Sequence, residues 1–329
     1  MQSTRNKLIK LLAASKDDYI SGQLLSEKLN ISRSAIWKHM EKLKKDGYEI
    51  EGKSNQGYRM IRLPDKLSEN TVQWGLNTQW IGKSIIHKTS TPSTQIIAHQ
   101  AAQNDALHGT VVIADEQTSG RGRMSRQWHS TKQKGIWLSL VLRPNISPYL
   151  APQLTLLTAT VLADVIYSVT KIRPQIKWPN DILMHSKKTA GILTEMQAEQ
   201  DQIQYVVIGM GINVNQAKND FPDIIQTKAT SLKIETNQTW DIVKLIQEIL
   251  VTFEQSYDTY IKNGFPHIKN KWESYGFKIG KTIWVKTLQE EFKAIFSGIA
   301  EDGALLIKTM QGETKQLYSG EINWFQKEE

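Results

Sequence analysis

The chain has 329 residues and not one cysteine. Disulfides, thiolate metal sites and a cysteine nucleophile are thereby excluded. Behind Met1-Gln2-Ser3-Thr4-Arg5 there is no apolar segment, so no secretory leader is expected, and no apolar run approaches the roughly 18 residues of a spanning helix. Familiar chemical signatures are missing as well. G-x-G-x-x-G, H-E-x-x-H and G-x-S-x-G do not occur, and residues 276–282 fall one short of a phosphate loop and lead into a strand rather than a helix. The seven histidines are scattered, which argues against a triad or a zinc site. A soluble, cytoplasmic protein with no membrane association is expected.

The charge is unevenly placed. Lys and Arg outnumber Asp and Glu by 41 to 33, a formal net +8. Residues 1–64 carry 13 basic and 7 acidic side chains, a difference of +6; the other 265 residues carry 28 and 26, a difference of +2. A small basic module on a near-neutral body points to nucleic-acid contact by the module. With 40% hydrophobic residues the body has the apolar mass for a sizeable core, and the length suggests more than one domain.

The module, residues 1–64, reads as three helices and a hairpin. Leu8, Leu11 and Leu12 share one face of the first helix. Ser21-Gly22-Gln23 opens a second, with Leu25 and Leu29 one turn apart, and Asn30-Ile31-Ser32 breaks it. Ser32 is a good N-cap for a third helix that buries Ile36, Met40 and Leu43 at i, i+4 and i+7. Arg33, Ser34, Trp37 and Lys38 then lie on its other face. A short second helix with polar side chains at its N-terminal end is what a helix-turn-helix sets into a major groove. Two short strands around residues 52–57 make a wing, with Lys53 and Arg59 beside phosphate. The DNA-contact candidates are Gln23, Ser32, Arg33, Ser34, Trp37, Lys38 and Lys53; Trp37 fits either a base contact or the core.

After Pro64-Asp65, a linker, strands are predicted over 84–87, 110–114, 135–142, 175–178, 191–197 and 205–214, and helices over 94–103, 152–168 and 239–262. This is an α/β domain with a mixed sheet, residues 65–275. From residue 276 the pattern turns to short strands with Asp302-Gly303 and Gln311-Gly312 as turns, which predicts a small β-barrel over 276–329. The fold class is α+β and multidomain.

Two stretches stand out in the body. Gly120-Arg121-Gly122-Arg123-Met124-Ser125-Arg126-Gln127-Trp128 interleaves glycines with always-charged guanidinium donors. On its own it fits an anion cradle, a flexible basic surface loop or an RNA-binding segment. Lys177-Trp178-Pro179-Asn180-Asp181 reads as a strand stopped by proline, with Asn180 and Asp181 at its mouth or capping an ordinary turn. Lys188, ahead of Thr189-Ala190-Gly191, is on its own a solvated hairpin charge as readily as a site residue.

Taken together, the N-terminal winged helix, Ser93-Thr94-Gln95, Gln117 before GRGRMSRQW, KWPND at 177–181, KKTAGILTE at 187–195, GMGINVN at 209–215 and Ala229-Thr230-Ser231-Leu232 resemble the bifunctional biotin–protein ligases that also repress biotin genes. The resemblance covers nearly the whole chain, and GRGR with KWPND at this separation is highly specific. It implies that biotin and ATP form biotinyl-5′-AMP with Mg2+, that a lysine of a biotin carboxyl carrier domain then receives biotin, and that the adenylate-bound protein forms a homodimer on operator DNA. It implies a biotin pocket at Ser93, Thr94, Gln95 and Gln117, and a loop at Arg121, Gly122 and Arg123 that folds over ligand, with Arg123 retaining the adenylate. Trp128 closes the pocket or meets the adenine. Lys188, with Gly191 beyond it, matches the lysine at the activated carboxyl, although Lys187 is adjacent. Asn180 is a nucleotide-side candidate, and Asp181 is a metal candidate or a structural cap. The alternatives are a repressor that only senses ligand and a lipoate or octanoate ligase of the same architecture. The intact motifs argue against the first, and the winged helix argues against the second.

Overall fold

A computed structural model describes residues 4–15, 18–286, 290–318 and 321–324. The chain divides into two compact units, Met1–Asn77 and Thr78–Glu329.

The first unit contains α1 (Thr4–Ala14), α2 (Gly22–Leu29), α3 (Arg33–Lys45), β1 (Glu49–Lys53), β2 (Gly57–Arg62) and α4 (Glu69–Gln73). Leu8, Leu12, Leu25, Ile36, Met40 and Leu43 are buried in one core with Tyr48, Ile50 and Met60. Both helix starts are capped: the Ser21 and Ser32 hydroxyls accept from the Leu24 and Ala35 N–H groups at 3.1 and 3.2 Å. Each such cap stabilises its helix by about 1 kcal/mol. Asn30, left-handed at φ 53°, ends α2 and sets the short turn into α3. The hairpin is tied to the helices where Ile20 and Tyr58 exchange two backbone hydrogen bonds at 2.9 Å. That contact needs a glycine at 57, where φ is +112° and a Cβ would lie 2.1 Å from the Ile20 carbonyl oxygen. The unit runs past Pro64, because α4 packs on it: Asn6 donates to Glu69 at 3.1 Å and Trp74 borders the core.

The second unit opens with β3 (Ile85–Lys88), α5 (Thr94–Gln103), β4 (Thr110–Ala114), β5 (Gly135–Leu142) and α6 (Ala151–Thr170). Next come β6 (Gln175–Lys177), β7 (Asp181–Met184), β8 (Lys187–Glu199), β9 (Gln202–Asn213), α7 (Asp223–Gln226), α8 (Leu232–Thr236), α9 (Ile242–Asn263) and α10 (Pro266–Tyr275). The sheet order is β3-β4-β5-β9-β8-β7-β6, parallel between β3 and β4 and antiparallel elsewhere, so the sheet is mixed as expected. One face is covered by α6 and α9, with Ile136 and Ile212 beside Leu162, Ile166 and Ile249. The apolar composition of α6 is satisfied there, inside the domain. On the other face α5 covers Val141 and Val207 with Ala98 and Ala102. Beyond α5, Gly191, Gly209 and Gly211 on that face are half-buried.

The C-terminal strands β10 (Thr282–Lys286), β11 (Glu291–Ile299), β12 (Leu305–Thr309), β13 (Thr314–Leu317) and β14 (Glu321–Asn323) form an antiparallel sheet, order β13-β12-β11-β10-β14, the small barrel-like domain anticipated. Two differences from expectation bear on the site. Asp181 begins a strand rather than ending in a loop, because Trp178-Pro179-Asn180 form a tight turn that folds β7 back on β6. The β6–β7 hairpin is also fastened to the C-terminal segment: Trp178 Nε1 donates to the Gly303 carbonyl between β11 and β12 at 3.1 Å, and the Phe277 N–H, just after α10, donates to the Ile176 carbonyl of β6 at 2.8 Å.

Candidate active site

The register of the sheet assembles the site. Lys88, Ala114, Trp137, Gly211, Gly191, Asp181 and Lys177 are successive cross-strand partners, one from each strand. Directly opposed residues share a face. The row therefore sets a two-glycine floor between Trp137 on one side and an Asp–Lys pair on the other. The next row along that face brings Ser139, Gly209 and Leu193 together. Glycine is required on this floor by close approach. A Cβ on Gly211 would stand 2.5 Å from the Trp128 indole, and one on Gly209 would stand 2.6 Å from Gln95 Oε1. A Cβ on Gly191 would stand 3.0 and 3.1 Å from Trp128 and Lys188.

Beside the floor, on the same face of the sheet, runs a chain of buried polar groups. Thr94 Oγ1 lies 2.8 Å from Ser139 Oγ, and Ser139 donates to Gln95 Oε1 at 3.0 Å. The Gln95 amide donates to the carbonyls of Leu193 and Val207 at 3.3 and 3.2 Å. Gln117 Oε1 accepts the Thr94 N–H at 2.8 Å, and its amide donates to Ser130 at 2.9 Å. Each hydroxyl has one proton to give; with Ser139 committed to Gln95, Thr94 is left to donate to Ser139 or to Gln117. Ser93 caps α5, its hydroxyl accepting from the Gln95 N–H at 3.3 Å. Of the expected pocket residues, Thr94 and Gln117 are bonded to each other at one end of this chain. Gln95 is consumed by protein groups and packs against Gly209 on the same face of the sheet.

The arginine loop is folded on itself. Gly122 N–H donates to Arg126 at 2.8 Å and Trp128 N–H donates to Gly120 at 2.8 Å, so these amides are taken by the loop. Met124 and Ser125 are left-handed at φ 54° and 56°. Arg121 and Arg123 extend from the loop; desolvation lowers the Arg123 guanidinium from its ordinary value while the charge of Asp181 opposes that shift. The Trp128 indole lies over the glycines, its buried Nε1 facing Gly211.

Beyond Gly191 sit the charges. Lys188 Nζ is 2.6 Å from Asp181 Oδ1 and Lys177 Nζ is 2.8 Å from Oδ2. Burial pushes the Asp181 carboxyl up, but the two ammonium groups outweigh it and hold it below the usual carboxylate range. Lys188 also stands 5.1 Å from the centre of the Trp128 ring. Lys187, its neighbour, is exposed. Asn180 donates to the Ile192 carbonyl at 2.7 Å and so braces the β6–β7 turn. Both oxygens of Asp181 are occupied, and among the described residues no cluster of three His, Asp or Glu side chains could hold a metal. This donor set does not fit a protein-held magnesium ion. Ser139 was not singled out in the sequence, and Gly209, Gly211 and Lys177 stood there only inside quoted motifs without a site role; the Gly-x-Gly spacing inside a strand was the available signal for the floor.

In the first unit Ser32, Arg33, Ser34, Trp37 and Lys38 are all exposed on or beside α3, Trp37 at 55%, which places it outside the core. Gln23 donates to Glu27 at 2.8 Å. Lys53 projects from the wing, 5.8 Å from the Tyr19 ring centre. Arg59, expected beside phosphate, is instead paired with Glu51 at 2.7 Å and lies over Tyr19.

Comparison with known proteins gives the family. Residues 84–213 match the Biotin/lipoate A/B protein ligase family, residues 4–59 an HTH domain, and residues 278–323 the Biotin protein ligase C terminal domain. Bifunctional ligase/repressor BirA of Bacillus subtilis (strain 168) is 48% identical over 323 residues, 98% of this chain and 99% of that protein. The Escherichia coli (strain K12) protein of the same name is 28% identical over 96% of each chain. The structure of biotin protein ligase from Aquifex aeolicus in complex with biotin and ATP matches with a TM-score of 0.62 and 29% identity, covering 73% of this chain and 98% of that one. With three domain types in the same order, and near half identity along its whole length, the chain belongs to the family of bifunctional biotin–protein ligase/repressors.

Proposed function

We propose that this chain activates biotin with ATP and transfers it to a lysine of a biotin carboxyl carrier domain, and that its adenylate-bound form pairs as a homodimer on operator DNA in the cytoplasm. The observation that carries the reading is the row Trp137–Gly211–Gly191–Asp181, a flat floor ending in fixed positive charge. Biotin lies over the polar chain, where Thr94 and Gln117 meet its ureido group. Its carboxylate points along the glycines toward Lys188. Asp181 between two lysines leaves a local net charge of +1, and Arg121 and Arg123 add to it.

A carboxylate oxygen of biotin attacks the α-phosphorus of ATP, and the bond to the bridging oxygen breaks as pyrophosphate leaves with the electron pair. The amine of the acceptor lysine then attacks the acyl carbon, the bond to AMP breaks, and the amine sheds a proton. No side chain of this protein becomes covalently bound. Its contribution is to hold two anions together and to stabilise charge that builds on the phosphate. Lys188 and Arg123 do this directly. Asp181 positions the lysines, and magnesium arrives with the nucleotide phosphates.

The test is transfer. Purified protein with ATP, magnesium and biotin is expected to label a carrier domain on one lysine and to leave it unlabelled when lipoate or octanoate replaces biotin. Operator DNA is expected to shift with biotinyl-5′-AMP and far less without it. A shift without labelling would leave a ligand-sensing repressor; labelling with lipoate would move the chain to the other branch of its family.

A further inference from the structure

Lys188 is placed by its backbone as much as by Asp181. Where β8 pairs with β7, Ala190 faces Ile182 and Lys188 faces Leu183, so Thr189 is the extra residue of a bulge. A bulge re-aims the side chains beside it. On the opposite edge β9 pairs with β8 only from Ala190 onward, and Lys188 lies beyond its reach. Residues 228–230 supply the missing partner. The Lys188 N–H donates to the Lys228 carbonyl at 2.8 Å, and the Thr230 N–H donates to the Lys188 carbonyl at 2.9 Å.

That segment is itself fastened. Asn213 donates to the Thr230 carbonyl at 3.0 Å, and Ser231 donates to the Gln216 carbonyl at 2.6 Å while capping α8. The fully buried Thr230 donates its hydroxyl to Glu235 Oε1. The other oxygen of Glu235 pairs with His185 Nδ1 in the β7–β8 turn. A closed ring results: His185 to Lys188 along the chain, Lys188 to Thr230 through backbone, Thr230 to Glu235 through the hydroxyl, and Glu235 back to His185. The Glu235 side chain is only 10% exposed, so water does not compete freely for these bonds.

We infer that Glu235 is a positioning residue for the adenylation step, acting through Thr230 to fix Lys188. It touches neither biotin nor ATP. This gives the Ala229-Thr230-Ser231-Leu232 stretch a task that its sequence alone did not reveal, and it rests on the reading of Lys188 given above.

Biotin-dependent exchange of pyrophosphate into ATP, measured on the full chain, tests this. Glu235→Ala and Thr230→Val are each expected to lower kcat about tenfold or more, since sub-ångström to 1 Å misplacement of a reacting group costs on the order of 10- to 100-fold. The KM for biotin should change by less than about threefold, because uniform binding is untouched. Glu235→Gln and Thr230→Ser keep the acceptor and the donor and should recover most of the rate. If Glu235→Ala folds poorly, the contrast of Thr230→Val with Thr230→Ser carries the same test. An unchanged kcat in Glu235→Ala and Thr230→Val, alongside a large loss in Lys188→Ala, would overturn the inference. So would kcat and KM worsening in step with a falling Tm and no rescue by the conservative variants. Unchanged exchange in Lys188→Ala would instead overturn the reading of Lys188 itself.

Discussion

Lys188 and Asp181 are paired at 2.6 Å across neighbouring strands, with Lys177 on the other carboxylate oxygen. Replacing Asp181 by Asn leaves two ammonium groups facing each other beside the glycine floor. Adenylation is expected to fall at least about tenfold, since Lys188 loses its fixed position. Stability should drop by about 1–3 kcal/mol in urea denaturation, less than a fully buried pair because both lysines reach solvent.

The same pair gives a pH signature. The folded pKa of Asp181 is depressed, so its contribution is full above the unfolded value near about 3.9 and is lost as pH falls through the lower folded value. The stability difference between wild type and Asp181→Asn should stay constant from pH 5 to 8 and shrink below about pH 4, as followed by denaturation at stepped pH. A difference that vanishes already at neutral pH would mean that the lysines do not hold the carboxyl low.

Ser139 is fully buried and completes the polar chain between Thr94 and Gln95. Ser139→Ala leaves Gln95 Oε1 without its donor and Thr94 with only Gln117 as acceptor, and should cost about 1–3 kcal/mol of stability. Biotin binding, measured by calorimetry, should weaken because Thr94 is no longer oriented. Retained affinity would show that the polar chain beside the floor is structural only.

Gly209 and Gly211 separate two kinds of crowding. A methyl on Gly209 collides with the buried Gln95 amide, and one on Gly211 collides with the half-buried Trp128 indole of the arginine loop. Gly209→Ala should lose both stability and biotin affinity. Gly211→Ala should keep its Tm within a few degrees while Trp128 fluorescence and ligand closure change.

For the DNA module, Lys38→Ala and Arg33→Ala should leave Tm unchanged and each reduce the salt dependence of operator binding by about one ion. Met40→Ala, at the centre of the core, should instead unfold the module more easily by about 2–5 kcal/mol.

Periodicity and capping made most of this fold readable. Ser32 with Ile36, Met40 and Leu43 marks the recognition helix, and α5 and β5 run over the residues expected. What stayed hidden depends on register between distant strands. Asp181 reads as the end of a loop because proline ordinarily stops a strand; only the hairpin shows that it opposes Lys177. Arg59 reads as a phosphate contact because the sequence does not show that Glu51 and Tyr19 claim it. Lys187 and Lys188 are indistinguishable by motif, and the bulge at Thr189 separates them.

That separation is the centre of the account, and one comparison tests it most directly. In biotin-dependent ATP–pyrophosphate exchange, Lys188→Ala is expected to lose about 100-fold or more while Lys187→Ala stays within about threefold of wild type. Equal losses in the two variants, or a larger loss at Lys187, would contradict it.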